Sequence, residues 1–94
     1  MTETTESKIG RAYDGLKAVS IEKNKRYGDS IIFKPIGIFC KEPSDVQIRA
    51  RLDDKLARIK NSDEFRKNDL ADLVGYVVLL MISRGWTEFE DLVD

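Results

Sequence analysis

The strongest constraint on the fold is an apolar segment near the C-terminus of an otherwise highly charged chain. No charged residue occurs from Leu73 to Ser83, although charged residues make up 35% of the 94 residues. Apolar side chains recur there at steps of three and four, and after Tyr76 they cover most of a helix circumference. Such a helix is central in its fold or lies at a subunit interface. We expect it to occupy about residues 63–84 and to end at Gly85.

A first amphipathic helix is predicted over about residues 7–26. Its apolar side chains have the three- and four-residue spacing of one helix face: Ile9, Tyr13, Leu16 and Val19. Extending that face along the helix places Ser20, Lys23 and Tyr27 on the same side, and Gly28 is expected to end the helix. Residues 1–6 are polar, and we expect them to form a disordered tail.

A second helix is predicted over about residues 45–60. Its apolar side chains form one narrow face: Ile48, Leu52, Leu56 and Ile59. The sequence Ser-Asp-Val-Gln matches a capping box, in which Ser44 caps the helix and Gln47 reaches back. Thr87 and Glu90 form a similar box, which predicts a short last helix.

The segment between the first two helices is apolar but does not alternate as a strand would. Residues 28–43 contain two prolines and two glycines, so we expect an irregular loop that packs on the helices. The prediction is therefore a single all-α domain over residues 1–94. It is a small bundle of three main helices with a short C-terminal helix.

Composition narrows the possible functions. Sixteen Lys and Arg residues against 17 Asp and Glu give a net charge of −1, so the chain as a whole has no electrostatic attraction to nucleic acid or to an anionic membrane. Histidine is absent, which excludes His-based nucleophilic catalysis and leaves oxygen ligands for any cation. The longest uncharged run is shorter than the roughly 18 residues that span a bilayer.

Location and association can also be anticipated. A single cysteine, Cys40, and an N-terminus without a secretory pattern predict a cytoplasmic protein. A chain this short buries a small core, so association with copies of itself, as a dimer or tetramer, is expected.

Three polar clusters border the predicted core, and each allows two interpretations. Asp69 and Asp72 are three residues apart on one helix, so they can share Mg²⁺ or form an acidic first turn that the helix dipole stabilises. On the second helix, four charged residues flank the apolar face: Arg51, Asp54, Lys55 and Arg58. They form either a phosphate-binding strip with Asp54 facing a metal, or a salt-bridged surface in solvent.

The third cluster is the segment Lys-Asn-Lys-Arg-Tyr-Gly-Asp-Ser, from Lys23 to Ser30. Lys23 lies on the apolar face of the first helix and Asn24 at its edge. Tyr27 offers a hydroxyl group, and Asp29 can cap the helix or reach a ligand. The alternative interpretation is a helix end whose lysines extend into water.

Taken together, these clusters resemble a known family. The order K-N-x-x-Y-G-D-S, then R-x-x-D-K-x-x-R-x-x-N, then D-x-x-D-L-x-G-Y is similar to the nucleotide modification associated domain 1 family (formerly DUF1599), which is common in phages. That family is related to the MazG-like all-α nucleotide pyrophosphohydrolases. The similar region runs from about Ile21 to Leu80 and implies a phage or prophage protein that handles nucleotides.

The resemblance also implies roles for individual residues. In MazG-like enzymes, two acidic pairs on adjacent helices hold Mg²⁺ against a nucleoside triphosphate, which is hydrolysed to a monophosphate and pyrophosphate. By position, Asp69 and Asp72 match the second pair and Asp54 matches half of the first, where Arg51 replaces the other carboxylate. The implied metal ligands are thus Asp54, Asp69 and Asp72. The implied nucleotide contacts are Lys23, Asn24, Tyr27, Asp29, Arg51, Lys55 and Arg58.

Two functions follow from the resemblance, and a third from the helices alone. The first is nucleotide binding with Mg²⁺-dependent pyrophosphohydrolysis. The second is non-catalytic binding or sequestration of a nucleotide or a host protein, which Arg51 favours because it removes a metal ligand and adds a phosphate partner. The third is a purely structural association module whose charged strips are solvated.

Overall fold

The computed structural model describes residues 2–27 and 42–93. They form three α-helices, α1 (Thr5–Tyr27), α2 (Ser44–Asn61) and α3 (Lys67–Ser83), followed by a 3₁₀ turn at Glu90–Leu92. Within these ranges there is no strand, which confirms the all-α class. The predicted irregular loop over 28–43 lies outside the described residues except for its last two positions.

The central helix is α3, which packs against both other helices. Lys55 reaches Asp72, whereas Asp45 near the start of α2 lies 3.9 Å from Arg84 after the end of α3. These two contacts make α2 and α3 antiparallel, joined by the short connection 62–66. The sequence predicted that the most apolar helix is central or lies at a subunit interface, and among the described helices α3 is the central one.

Helices α1 and α3 are also antiparallel. Lys23 reaches Asp72, and one turn earlier Ser20 lies over Gly75, where a Cβ atom would stand 3.9 Å from the Ser20 Oγ. That distance is an ordinary van der Waals contact, so the interface between α1 and α3 has room for a methyl group at Gly75. None of the described helices has the length and apolar character needed to cross a membrane.

The end of α3 matches its prediction in detail. Gly85 has a φ of 77°, the left-handed conformation that glycine adopts without strain. Its N–H donates to the Ile82 carbonyl, and the Trp86 N–H donates to the Met81 carbonyl, each at 2.9 Å. This pair of bonds is a Schellman motif, which satisfies carbonyls that the helix end leaves without partners.

Both predicted capping boxes are wrong. Ser44 is already the first helical residue of α2, because Pro43 occupies the capping position and its carbonyl accepts the first bonds of the helix. Gln47 Nε2 donates a hydrogen bond to the Glu42 carbonyl at 2.8 Å. The second box forms only the 3₁₀ turn, without a side-chain cap, since a segment this short cannot meet the cost of helix nucleation.

The N-terminal ends of α3 and α1 also differ from prediction. Helix α3 begins at Lys67 rather than near residue 63, because Ser62 Oγ bonds to both the N–H and the carbonyl of Glu64 and forms a local turn. Helix α1 begins earlier, at Thr5, within the predicted tail. There the Thr4 hydroxyl accepts a hydrogen bond from the Ser7 N–H at 3.1 Å, as a capping residue does.

The described residues enclose a small core. Ile48 is their one fully buried apolar side chain. Lys55, and not Leu56, belongs to the packed face of α2, since the Lys55 side chain is 18% exposed and Leu56 is 51% exposed. Ile48, Leu52 and Ile59 of the predicted face are at least partly buried as expected, whereas Leu56 is exposed and the neighbouring Lys55 takes its place on the packed side.

Only the C-terminal half of α1 is packed. Leu16, Ser20 and Lys23 are partly buried, as the predicted face requires. Its remaining members, Ile9, Tyr13 and Val19, are exposed. Since residues 4–15 are all exposed, the described part of the chain leaves the first turns of α1 without a covering element.

Candidate functional site

Three charged side chains meet at the junction of the three helices. Lys23 of α1 donates from Nζ to Oδ1 of Asp72 on α3 at 2.6 Å, and Lys55 of α2 donates to Oδ2 of the same carboxylate at 3.2 Å. The side chains of Asp72 and Lys55 are each 18% exposed, whereas that of Lys23 is 43% exposed. We call Lys23, Lys55 and Asp72 the lysine–aspartate centre.

The helix faces explain why these residues meet. Lys55 lies between Leu52 and Ile59 on the packed side of α2, so its aliphatic stem runs along apolar surface and its ammonium group emerges at α3. Charged groups that are mostly withdrawn from water require partners. Asp72 supplies one carboxylate oxygen to each lysine, and it thereby connects α1 and α2 through α3.

Electrostatics keep Asp72 ionised. Burial alone would raise the pKa of Asp72, but the hydrogen bonds from Lys23 and Lys55, together with their positive charges, outweigh burial and hold that pKa below its ordinary value. With Asp72 ionised, two positive charges and one negative charge give the centre a net charge of +1. The excess is positive, and it is open to solvent on the Lys23 side.

The basic strip of α2 continues from this centre. Arg51 and Arg58 lie one turn on either side of Lys55, so all three are neighbours on the helix surface. Both arginines are exposed, as is Asp54, and within residues 2–27 and 42–93 none of these three takes part in an ion pair. The alternative of a salt-bridged strip, with Asp54 paired to Arg51 and Arg58, is therefore not what the structure contains.

The three predicted magnesium ligands occupy different surroundings. Asp54 is exposed on α2, Asp69 is partly buried in the first turn of α3, and both oxygens of Asp72 are held by lysines. In the part of the chain that the structure describes, no three Asp, Glu, Cys or His side chains are grouped so that they could hold a metal ion. The magnesium site stays a prediction, and it would require Asp72 to exchange at least one lysine for the cation.

The remaining predicted nucleotide contacts are at the end of α1. Asn24 follows Lys23 and is partly buried. Tyr27 is the last helical residue, but its side chain and all of Asp29 lie outside the described residues. The structure thus brings together Lys23, Lys55 and Asp72, with Arg51 and Arg58 beside them.

Sequence reasoning identified all three members of the centre but not their pairing. It treated Asp72 as a metal ligand and the lysines as phosphate ligands. Their positions in the sequence could have indicated the pairing, because one acidic and two basic residues each fell on or beside an apolar helix face. Residues of opposite charge in such positions are expected to neutralise one another.

Comparison with known proteins adds no relative. No family model, no curated protein and no solved structure matches the chain.

Proposed function

We propose that the protein binds a nucleotide, or a phosphate compound derived from one, at the lysine–aspartate centre. The supporting observation is the convergence of two ammonium groups from different helices on one carboxylate, with a net charge of +1. An anionic phosphate is the kind of ligand that balances this charge. The exposed fraction of Lys23, 43%, gives such a ligand access from solvent.

The donors left over at the centre suit phosphate oxygens. Each lysine carries three N–H donors and gives one to Asp72, so each retains donors for a ligand. Arg51 and Arg58 add planar guanidinium groups, which bind phosphate through two parallel hydrogen bonds. Asp72 is then a positioning residue, because it holds both ammonium groups without touching the phosphate.

The choice of a nucleotide over other anions rests on the sequence resemblance. The three segments similar to the nucleotide modification associated domain 1 family contain every residue of the centre and both arginines. In this proposal the chain is a MazG-like domain, Asn24 and Tyr27 lie close to the sugar or base, and Asp29 reaches the ligand. We further propose that it acts in the cytoplasm, that of the host if the protein is encoded by a phage, and as a homo-oligomer.

Magnesium-dependent hydrolysis of a nucleoside triphosphate is the second candidate. It is favoured by Asp69 and Asp72, which are one turn apart on α3 and both partly buried. Because Asp72 is held by two lysines, binding without hydrolysis fits the geometry better, and we derive no catalytic step. A pyrophosphate-release assay with Mg²⁺ and the four deoxynucleoside triphosphates separates the two functions.

Calorimetric titration of lysine variants tests the binding proposal. Lys23→Gln and Lys55→Gln each remove one charged contact, typically worth about 1.5–3 kcal/mol, so the Kd for a bound nucleotide should rise at least about tenfold. Lys25→Gln is the matched control for α1, since Lys25 is exposed and has no ion-pair partner within the described ranges. Lys60→Gln is the corresponding control for α2.

The comparison between variants decides the outcome. Circular dichroism first establishes that each variant retains the helical content of the parent protein. If the two site variants and the two controls then weaken binding equally, the effect reflects overall charge and the proposed site is wrong. If Lys25→Gln alone weakens binding, the ligand sits elsewhere on α1.

A further inference from the structure

Helix α1 is held to α3 by one short face. Between residues 5 and 26 no residue of α1 is buried. Four of them are partly buried: Leu16, Ser20, Lys23 and Asn24. No Cα atom of α1 lies within 8 Å of a Cα atom of α2, so α3 is the described helix on which α1 packs. The docking of α1 therefore depends on its C-terminal half.

The contacts of this face are few and partly open to water. Among residues 5–26, Leu16 is the one partly buried apolar side chain, so undocking exposes little apolar area. Lys23 is 43% exposed, and solvent therefore screens its ion pair with Asp72. Ser20 meets α3 at Gly75, which has no side chain to add to the contact. Hydrophobic burial and ion pairing thus oppose the undocking of α1 only weakly.

Helices α2 and α3 are joined more firmly than α1 and α3. Ile48 of α2 is fully buried. Lys55 and Asp72 link the two helices at a distance of 3.2 Å. At the other end of the pair, Asp45 lies 3.9 Å from Arg84. Segments with few buried contacts open at a lower free energy than the rest of a protein, and by this criterion α1 differs from the α2–α3 pair.

The contact that docks α1 is also part of the lysine–aspartate centre. Lys23 is the member that α1 supplies, and its Nζ lies 2.6 Å from Oδ1 of Asp72. Lys55 and Asp72 both belong to the α2–α3 pair. If α1 leaves α3, the centre keeps one lysine and one aspartate, whose charges cancel. The positive excess of the centre therefore exists only while α1 is docked.

We propose that α1 is a lid that undocks from α3 as a unit, and that its docking assembles the anion site. The open form lacks the positive excess, so a phosphate ligand binds the closed form in preference. A ligand that prefers one of two conformations shifts the population toward it, and a phosphate held by both lysines therefore keeps α1 in place. The opening is a property of the free protein, whereas its closure by a ligand rests on the proposed function.

Amide hydrogen exchange of the free protein, followed by NMR, tests the opening. Away from α3, a helix that contains Gly10 and Gly15 has little stability of its own, so its amides exchange when it undocks. Under conditions where exchange reports the open population, amides of residues 16–24 should be at least about tenfold less protected than those in the middle of α2 and α3. Equal protection in the three helices would show that α1 opens only when the whole protein unfolds, and would overturn the lid.

A lysine variant tests whether the ion pair controls the opening. Lys23→Gln should reduce protection in α1 by about two- to fivefold, as loss of a partly exposed ion pair implies, and leave α2 and α3 unchanged. Lys25→Gln is the matched control, because Lys25 is exposed on the same helix and has no ion-pair partner within the described ranges. Equal effects of both substitutions on α1 would show that the Lys23 contact does not hold the lid.

The same exchange measurement with a nucleotide tests the assembly of the site. The probe is whichever of ATP, GTP, CTP and UTP has the lowest Kd in EDTA. At a free concentration of ten times that Kd, protection in α1 should rise about tenfold, because a ligand of the closed form suppresses opening by that factor. A nucleotide that binds without raising protection in α1 would show that the open form binds equally well, and would overturn the assembly. Absence of binding by all four, with α1 less protected than α2 and α3, would count against the proposed function and support the lid.

Discussion

Replacing Asp72 with asparagine should destabilise the protein by about 2–3 kcal/mol. The amide has the shape of the carboxylate but no charge, and its NH₂ group cannot accept a hydrogen bond from a lysine. The side chain of Lys55 is only 18% exposed, so the loss of its charged hydrogen bond to Asp72 should cost about 1.5–2 kcal/mol of stability, within the range for hydrogen bonds to charged groups. Lys23 is 43% exposed, so solvent screening reduces its share to about 0.5–1 kcal/mol.

Urea denaturation followed by far-UV circular dichroism measures this change in the free energy of unfolding. In thermal denaturation of a domain of this size, 1 kcal/mol corresponds to about 4–8 °C in Tm, so the expected fall in Tm is near 10 °C or more. Asp69→Asn is the matched control one turn away on α3. Asp69 interacts mainly with the helix dipole, and its loss should cost at most about 1 kcal/mol. Equal, small effects of both substitutions would show that the lysine–aspartate centre does not hold the helices together.

Three further predictions concern pH, backbone conformation and core packing. The lowered pKa of Asp72 means that its stabilising effect is complete above its unfolded pKa, about 3.9, and is lost as pH falls through the folded pKa. Denaturation curves of the parent and Asp72→Asn should therefore converge at low pH. Gly85→Ala should lower stability by about 1–2 kcal/mol because its φ is 77°, whereas Gly75→Ala, with 3.9 Å of clearance, should preserve or raise it. Ile48→Ala should cost about 2–5 kcal/mol in the same assay, as burial of a full side chain implies.

The sequence predicted the helices well because their signals are local. Periodicity located all three helices, and Gly85 ended α3 at the expected residue since only the positive φ of glycine suits that turn without strain. The capping boxes failed because the same residue pattern arises by chance. At α2, Pro43 supplied the capping position one residue earlier than the pattern required.

The packed faces were harder to predict than the helices. Lys55 and Leu56 are adjacent, and hydrophobicity alone assigned Leu56 to the core. In the structure Lys55 is packed instead of Leu56, because Asp72 on another helix provides a carboxylate for the Lys55 ammonium group. Contacts between distant segments are not encoded in the periodicity of either one.

The candidate site was predicted in composition but not in arrangement. Lys23, Lys55 and Asp72 were each singled out from one sequence, yet their convergence depends on how three helices cross. The same limit applies to Arg51 and Arg58. Their spacing from Asp54 favours ion pairs along the helix. In the described part of the chain, however, neither arginine has an ion-pair partner. Proximity along a helix permits a salt bridge but does not produce one.

A thermal-shift panel tests the central claim, nucleotide binding at the lysine–aspartate centre, most directly. The parent protein is heated with nucleoside mono-, di- and triphosphates and cyclic dinucleotides, each in Mg²⁺ and in EDTA. Because the proposed ligands of the phosphate are lysines and arginines, at least one nucleotide should raise the Tm in EDTA, as ligands that bind only the folded state do. A shift that requires Mg²⁺ would contradict the lysine-based site and favour the carboxylate one. No shift with any nucleotide in either condition would contradict nucleotide binding itself.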